Sequence, residues 1–144
     1  MKPPAWRLDA AAYSHAFALQ TRYRDEDGLG HINNNAVAGF YDEARSRFMQ
    51  HIFSPKNGLE RVRIVTADSY VRFMGEVFHP DEVLIGSAIL RIGNASFQIG
   101  QGLFQNGRCV GICDTTFVQA TEHGSVPISD RLRTVLESHL VKEA

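Results

Sequence analysis

One stretch of the sequence concentrates groups that do chemistry. Between Arg22 and Asn35 stand three carboxylates (Asp25, Glu26, Asp27), a histidine (His31) and three consecutive amides (Asn33, Asn34, Asn35). Gly28 and Gly30 punctuate the run, and a helical pattern of apolar residues begins directly after it. A helix start leaves its first N–H groups without partners and carries roughly half a positive charge. A carbonyl oxygen seated there is polarised, and an oxyanion growing on it is stabilised. A nearby carboxylate can then attack the carbonyl or activate a water. The same aspartates can instead serve as turn caps, as Asp does beside Gly, and residue types alone leave both readings open. A further carboxylate, Glu43, falls inside the helical pattern four residues ahead of Arg47. That order favours a surface ion pair and gives Glu43 a mainly structural reading.

These groups need a helix to carry them and a sheet to hold the helix. Ala36, Val37, Phe40, Tyr41, Ala44, Phe48 and Ile52 recur at helical spacing and predict a helix over 34–52, with Asn33 or Asn34 as its cap. Ahead of it, residues 16–23 alternate in part and predict a strand. Beyond a break at 54–58, strands are expected at about 62–73, 82–92, 96–104 and 108–121. Turns fall at His79-Pro80-Asp81, Gly93-Asn94 and Asn106-Gly107. Asn-Gly is the strongest of these, because both central positions of a two-residue hairpin favour positive φ. Four strands in series with tight links predict an antiparallel meander. A short amphipathic helix over 129–140 closes the chain behind Pro127. One long helix followed by an antiparallel sheet is an α+β arrangement. Its sheet edges must be blunted or paired, and pairing with a second copy is the simple solution.

Composition excludes several classes. The chain has 144 residues, 44% hydrophobic and 22% charged, with a formal net charge of −1. That length fits one domain, and the near-neutral balance argues against a nucleic-acid or anionic-membrane partner. No apolar run approaches the ~18 residues of a membrane span. The N-terminal stretch lacks an apolar core and carries Asp9, so no secretory leader is expected. Cys109 and Cys113 stand four apart on one expected strand, about 13 Å at strand rise and too far to bridge. A reduced, cytoplasmic protein is therefore expected. The six histidines lack metal-ligand spacing. Nucleophile-elbow, phosphate-loop and dinucleotide motifs are missing.

The run Tyr23-Arg24-Asp25-Glu26-Asp27-Gly28-Leu29-Gly30-His31-Ile32-Asn33-Asn34, followed by Phe40-Tyr41-Asp42-Glu43-Ala44-Arg45, resembles the signature of hotdog-fold acyl-CoA thioesterases related to 4-hydroxybenzoyl-CoA thioesterase. Val71-Arg72-Phe73, the stretch from Val77 to Val83 and the stretch from Arg91 to Phe97 are also similar to that family, so the resemblance spans about residues 16–120. It implies a single hotdog domain over 1–144, with a long central helix wrapped by a five-stranded antiparallel sheet. It further implies homodimers or homotetramers with active sites at the dimer interface, no cofactor and no metal. The implied substrate is an acyl thioester of coenzyme A or acyl carrier protein, cleaved to the free acid. By the same resemblance, Asp27 is the nucleophile or general base, and the backbone N–H near Asn34 polarises the thioester carbonyl. His31 and Asn33 orient Asp27 or water, and the turn with Arg91, Gly93, Ser96 and Phe97 lies towards the coenzyme A arm.

Val37 stands where many members carry Tyr, and Gly39 where many carry a larger residue, which implies a wider acyl pocket with Val37 on its wall. Another branch of the fold works with a glutamate on the central helix, which makes Glu43 the alternative base. Two other functions share the framework: an acyl-CoA hydratase or dehydratase, and a non-catalytic acyl-binding module. Asp27, Gly30, His31 and Asn33, all present together, speak against the module.

Overall fold

The helix expected from periodicity forms at Asn34–Ile52 (α1) in the computed structural model, which describes residues 2–141. Its buried residues are Val37, Phe40, Tyr41, Ala44, Phe48 and Ile52, a single apolar face. Asn33 caps it, its side-chain oxygen accepting the Asn35 N–H at 2.7 Å. Glu43 and Arg47 pair at 3.1 Å on the solvent side.

A curled antiparallel sheet wraps this helix. Its strands are β1 (His15–Leu19), β2 (Ile64–Phe73), β3 (Val83–Ile92), β4 (Ser96–Gln105) and β5 (Arg108–Thr121), and the two-residue β6 (Gly124–Ser125) pairs with the end of β5. The spatial order is β1-β3-β4-β5-β2. This corrects the simple meander. Only β3, β4 and β5 form one, joined at the second turn by Asn106 and Gly107, both with positive φ. β2 lies against β5, with Ile64 opposite Gln119 and Phe73 opposite Gly111. The physical reason is the link at 74–82, which is no tight turn. It starts with the Met74 and Gly75 N–H groups bound to the Val110 carbonyl. The buried Gln105 amide then ties it down, accepting the Phe78 N–H and donating to the Phe78 and Asp81 carbonyls.

Two element ends also differ from expectation. β1 stops at Leu19 rather than residue 23, because Tyr23–Asp25 coil into a 3-10 turn closed by Asp25 on the Arg22 N–H. The last helix, α2 (Asp130–Glu137), ends before residue 140. The segment after it leaves the helix to pair with β3: Ile89 donates to the His139 carbonyl and Val141 to that of Ile89, both at 2.9 Å. This occupies the β3 edge just beyond where β1 ends.

Two apolar clusters fill the space between helix and sheet. Ile32, Val37, Tyr41, Val77, Val83, Ile85 and Leu103 pack around the first half of α1. Phe48, Ile52, Ile89, Phe97, Ile99, Leu132 and Leu136 pack around its second half, under α2. Each fully buried side chain of this kind contributes about 1.5–3 kcal/mol. An α+β unit of one long helix inside an antiparallel wrap is the hotdog arrangement. Among the described residues no helix is long and apolar enough to cross a membrane.

Candidate active site

The loop ahead of α1 is fixed by its own backbone. Glu26 and Ile32 form an isolated antiparallel bridge, and the Asp27 N–H reaches the His31 carbonyl at 2.9 Å. Gly30 turns the chain at φ 86°, a conformation that favours glycine. The loop is then anchored outward, with Ile32 N–H on the Val77 carbonyl at 2.7 Å and Asn33 N–H on the Asp25 carbonyl at 2.8 Å. The result brings two of the sequence-predicted groups together. Asp27 Oδ2 lies 3.2 Å from His31 Nδ1, and Asp27 Oδ1 accepts the Leu29 N–H at 2.8 Å. Across the ring, His31 Nε2 is 3.7 Å from a Glu76 carboxylate oxygen.

The two aspartates of the loop do different things. Asp25 is buried at 5% exposure, with its carboxylate held by both the side chain and the N–H of Arg22. Those Arg22 hydrogen bonds keep its carboxyl below the usual carboxylate range, against the opposing effect of burial. Asp25 builds the loop. Asp27 retains partial exposure and faces an imidazole.

Beside His31 a cavity of about 280 Å³ opens between the loop, α1 and the link at 74–82. Its wall is mostly apolar, with Ile32, Val37, Tyr41, Val77 and Val110 alongside His31 and Asn34. Asp27 is set behind His31 rather than on that wall. At the helix start, Asn33 takes both the Asn35 N–H, through its side chain, and the Val37 N–H, through its carbonyl. The Asn34 N–H has no partner among the described residues, and Asn34 lines the cavity. An unpaired first-turn N–H beside a polar-capped apolar cavity is a donor waiting for a carbonyl oxygen.

The structure thus gathers Asp27, His31, Asn33, Asn34 and Val37 at one place. It does not bring Arg91, Gly93, Ser96 and Phe97 there within one chain. Gly93 closes its turn by donating to the Ser96 carbonyl at 2.7 Å and accepts from Arg133 of α2 at 2.9 Å. Phe97 points inward at 1% exposure, stacked on Phe117 and packed with Phe48 and Ile52. The turn therefore belongs to the second half of α1, away from the cavity. Glu43 is half-exposed, paired with Arg47, and off the cavity wall. Asn33 spends its side chain on the helix cap rather than on Asp27. Sequence reading missed two polar wall residues: Glu76, which no motif marks, and Tyr41, whose helical spacing marks it only as core. The Tyr41 hydroxyl is buried without a hydrogen-bond partner among the described residues.

Comparison with known proteins agrees with this fold. A solved structure from Bacillus stearothermophilus, described as a predicted thioesterase, is 26% identical; the match covers 90% of this chain and 98% of that one at a TM-score of 0.78. A Pseudomonas aeruginosa protein is also 26% identical, over 95% of this chain and 98% of its own, with a TM-score of 0.75. A Thermus thermophilus thioesterase complexed with coenzyme A and Zn shares the fold at a TM-score of 0.77, with 22% identity over 88% of this chain and 94% of that one. The comparison with curated proteins gives no match. Residues 21–136, which include the loop, α1, strands β2 to β6 and nearly all of α2, match the family described as the thioesterase-like superfamily. With its sheet order, its helix and its sequence all in agreement, the chain belongs to the thioesterase-like superfamily.

Proposed function

We propose that this chain is an acyl-CoA thioesterase that hydrolyses its substrate through a water activated by the Asp27–His31 pair. The observation that carries the reading is the 3.2 Å contact of Asp27 with His31 beside a cavity at a helix start. Asp27 on Nδ1 holds the proton there and leaves Nε2 free to take one from water. The thioester carbonyl sits with its oxygen towards the Asn34 N–H. Water loses a proton to His31 as its oxygen bonds to the carbonyl carbon, and the electron pair of the C=O bond moves onto oxygen. The tetrahedral oxyanion then collapses and breaks the C–S bond. The thiolate leaves with the C–S electron pair and takes up the proton held by His31, which restores the base for the next turnover. Both Asp27 oxygens are engaged, by Leu29 N–H and by His31, which favours water activation over direct attack.

The thioesterase-like family and the coenzyme A bound to the Thermus relative support coenzyme A as the carrier, with acyl carrier protein as the alternative. The active unit in this reading is the single hotdog domain of residues 1–144, paired with a second copy through the free edge of β2. That ten-residue strand has one side unpaired among the described residues, carries exposed Tyr70 and Phe73, and reaches the cavity through Phe73. A panel of short, long and aromatic acyl-CoAs assayed for free thiol tests the activity. Thiol release from saturated substrates is the expected result. Hydration of enoyl-CoA without thiol release would move the chain to the hydratases, and binding with no turnover at all to the acyl-binding modules.

A further inference from the structure

Both ends of the chain meet at one edge of β3. β1 covers the part from Val83 to Ser87, and the segment after α2 covers Ile89. Ile89 is fully buried, and its N–H and carbonyl are satisfied only by that segment, through His139 and Val141. Three imidazoles gather at this corner: His15 from the start of β1, His51 from the last turn of α1, and His139 from the segment itself. The His51 ring lies 5.6 Å from the His15 ring and 5.3 Å from the His139 ring, and Phe48 packs against His15 and His139. Ser14 bonds His139 Nδ1 at 2.9 Å, while His15 Nδ1 is buried with no partner among the described residues.

The surroundings offer these rings no counter-ion. Among the described residues, the histidines within ion-pair reach of a carboxylate are His31 and His123, both elsewhere. On α1, Glu43 and Arg47 pair with each other. On α2, Arg131 and Arg133 bond the Gly58 and Gly93 carbonyls, Asp130 stands at the far end, and Glu137 makes no ion pair among the described residues. The only charged residue of β3 is Arg91, a further cation, and β1 has none beside His15. Lys56 lines a cavity of about 380 Å³ together with His51 and His139. The end of α1 accommodates one positive charge on His51, and a second charge beside it is repelled.

We propose that His15, His51 and His139 form an acid-sensitive latch, which releases the segment after α2 from the β3 edge while the rest of the sheet stays paired. Burial first, then the neighbouring imidazoles, lowers the proton affinity of His15 and His139 in the closed form. The open form binds those protons more readily, so opening is favoured as pH falls below the ordinary histidine value of 6.5 and reversed as it rises. Opening frees the Ile89 N–H and carbonyl and uncovers Phe48, and it leaves the β1–β3 and β3–β4 ladders untouched.

The test is amide hydrogen exchange of the full chain, followed by NMR at pH 7.5 and pH 5.0 and corrected for the intrinsic rates at each pH. The reporters are the Ile89 and Val141 amides, which bond across the latch; Gln101 and Cys113, paired in the β4–β5 ladder, are the reference. Two unit charges at the observed ring separations shift an equilibrium about fourfold even at the dielectric of water, and two such pairs shift it about tenfold or more. Protection at Ile89 and Val141 is therefore expected to fall at least about tenfold on acidification, with Gln101 and Cys113 changing far less. His51→Gln removes the central charge at an exposed position, and His15→Phe keeps a ring against Phe48 that cannot be charged. Each substitution should shrink the acid-induced difference. Unchanged protection at Ile89 and Val141 would overturn the proposal. An equal loss at the reference amides, which would mean global unfolding, or a full acid response in both variants would overturn it too. None of these readings involves turnover, so the proposal stands or falls apart from the thioesterase assignment.

Discussion

Replacing Asp27 by Asn changes one atom and reverses the polarity of one contact. The amide oxygen can still accept the Leu29 N–H that Asp27 Oδ1 accepts at 2.8 Å, so the loop keeps its shape. The NH₂ group then faces His31 Nδ1 in place of a carboxylate oxygen 3.2 Å away. It donates to Nδ1 and drives the ring proton to Nε2, the nitrogen that the reaction needs as an acceptor. The general-base contribution is lost while the cavity and the Asn34 N–H remain. That contribution is worth about 10²–10⁴-fold, or about 2.7–5.4 kcal/mol of barrier. Steady-state thiol release should show kcat reduced by at least the lower figure with KM little changed, and circular dichroism should show an intact fold. Glu43→Gln is the matched comparison: it removes a half-exposed pair with Arg47, worth about 0.3–0.5 kcal/mol, and should leave turnover near normal. Near-full turnover in Asp27→Asn, with Glu43→Gln inactive and folded, would refute the reasoning and move the chemistry onto α1.

Other expectations follow from neighbouring features. Asn33→Ala removes the α1 cap and should lower stability by about 1 kcal/mol in urea denaturation; a change lost in the noise would mean that the cap does not hold the helix start. His15 and His139 both sit against His51 and Phe48, and Ser14 bonds His139. Burial first, then the neighbouring imidazoles, lowers both below the ordinary histidine value of 6.5. The unfolded chain therefore takes up their protons first, and the melting temperature should be steady above neutrality and fall as pH drops below 6.5; a flat profile would contradict this. Asp25 is also lowered, by the Arg22 hydrogen bonds that favour its charged form, so its contribution holds at neutral pH and is lost only below its ordinary value of 3.8, as pH falls through its folded value. Light scattering should return at least twice the 16.1 kDa chain mass, and a lone 16.1 kDa species at micromolar concentration would remove the β2 pairing.

The sequence carried the local parts of this fold well. Apolar spacing set the bounds of α1, and Asn106-Gly107 located a hairpin, because both signals are written within a few residues. The place of β2 was not legible in that way. Its partner is β5, some fifty residues later, and what separates hairpin from crossover is a buried Gln105 amide that ties down the link. The loop chemistry was legible as a group of residue types, yet the sequence did not divide the labour between Asp25 and Asp27. That division depends on which carboxylate the Arg22 guanidinium reaches. Tyr41 shows the limit most plainly: period places it in the core, and nothing in the chain's order says that its hydroxyl lacks a partner among the described residues there.

The crossed sheet order has a consequence for how the protein is made. On the ribosome, β1 emerges about seventy residues before the β3 residues it pairs with, and β2 emerges well before β5. At about 5–20 residues per second, α1 displays its apolar face for several seconds before any sheet exists to cover it. The first local pairing open to the nascent chain is the β3–β4 hairpin; β1 docks onto its β3 side, and β2 can dock only after β5 has added beside β4. Until β5 is out, the growing chain offers unsatisfied strand edges and an open helix face, which makes this stage of synthesis the one most exposed to misassembly and most sensitive to the pace of translation.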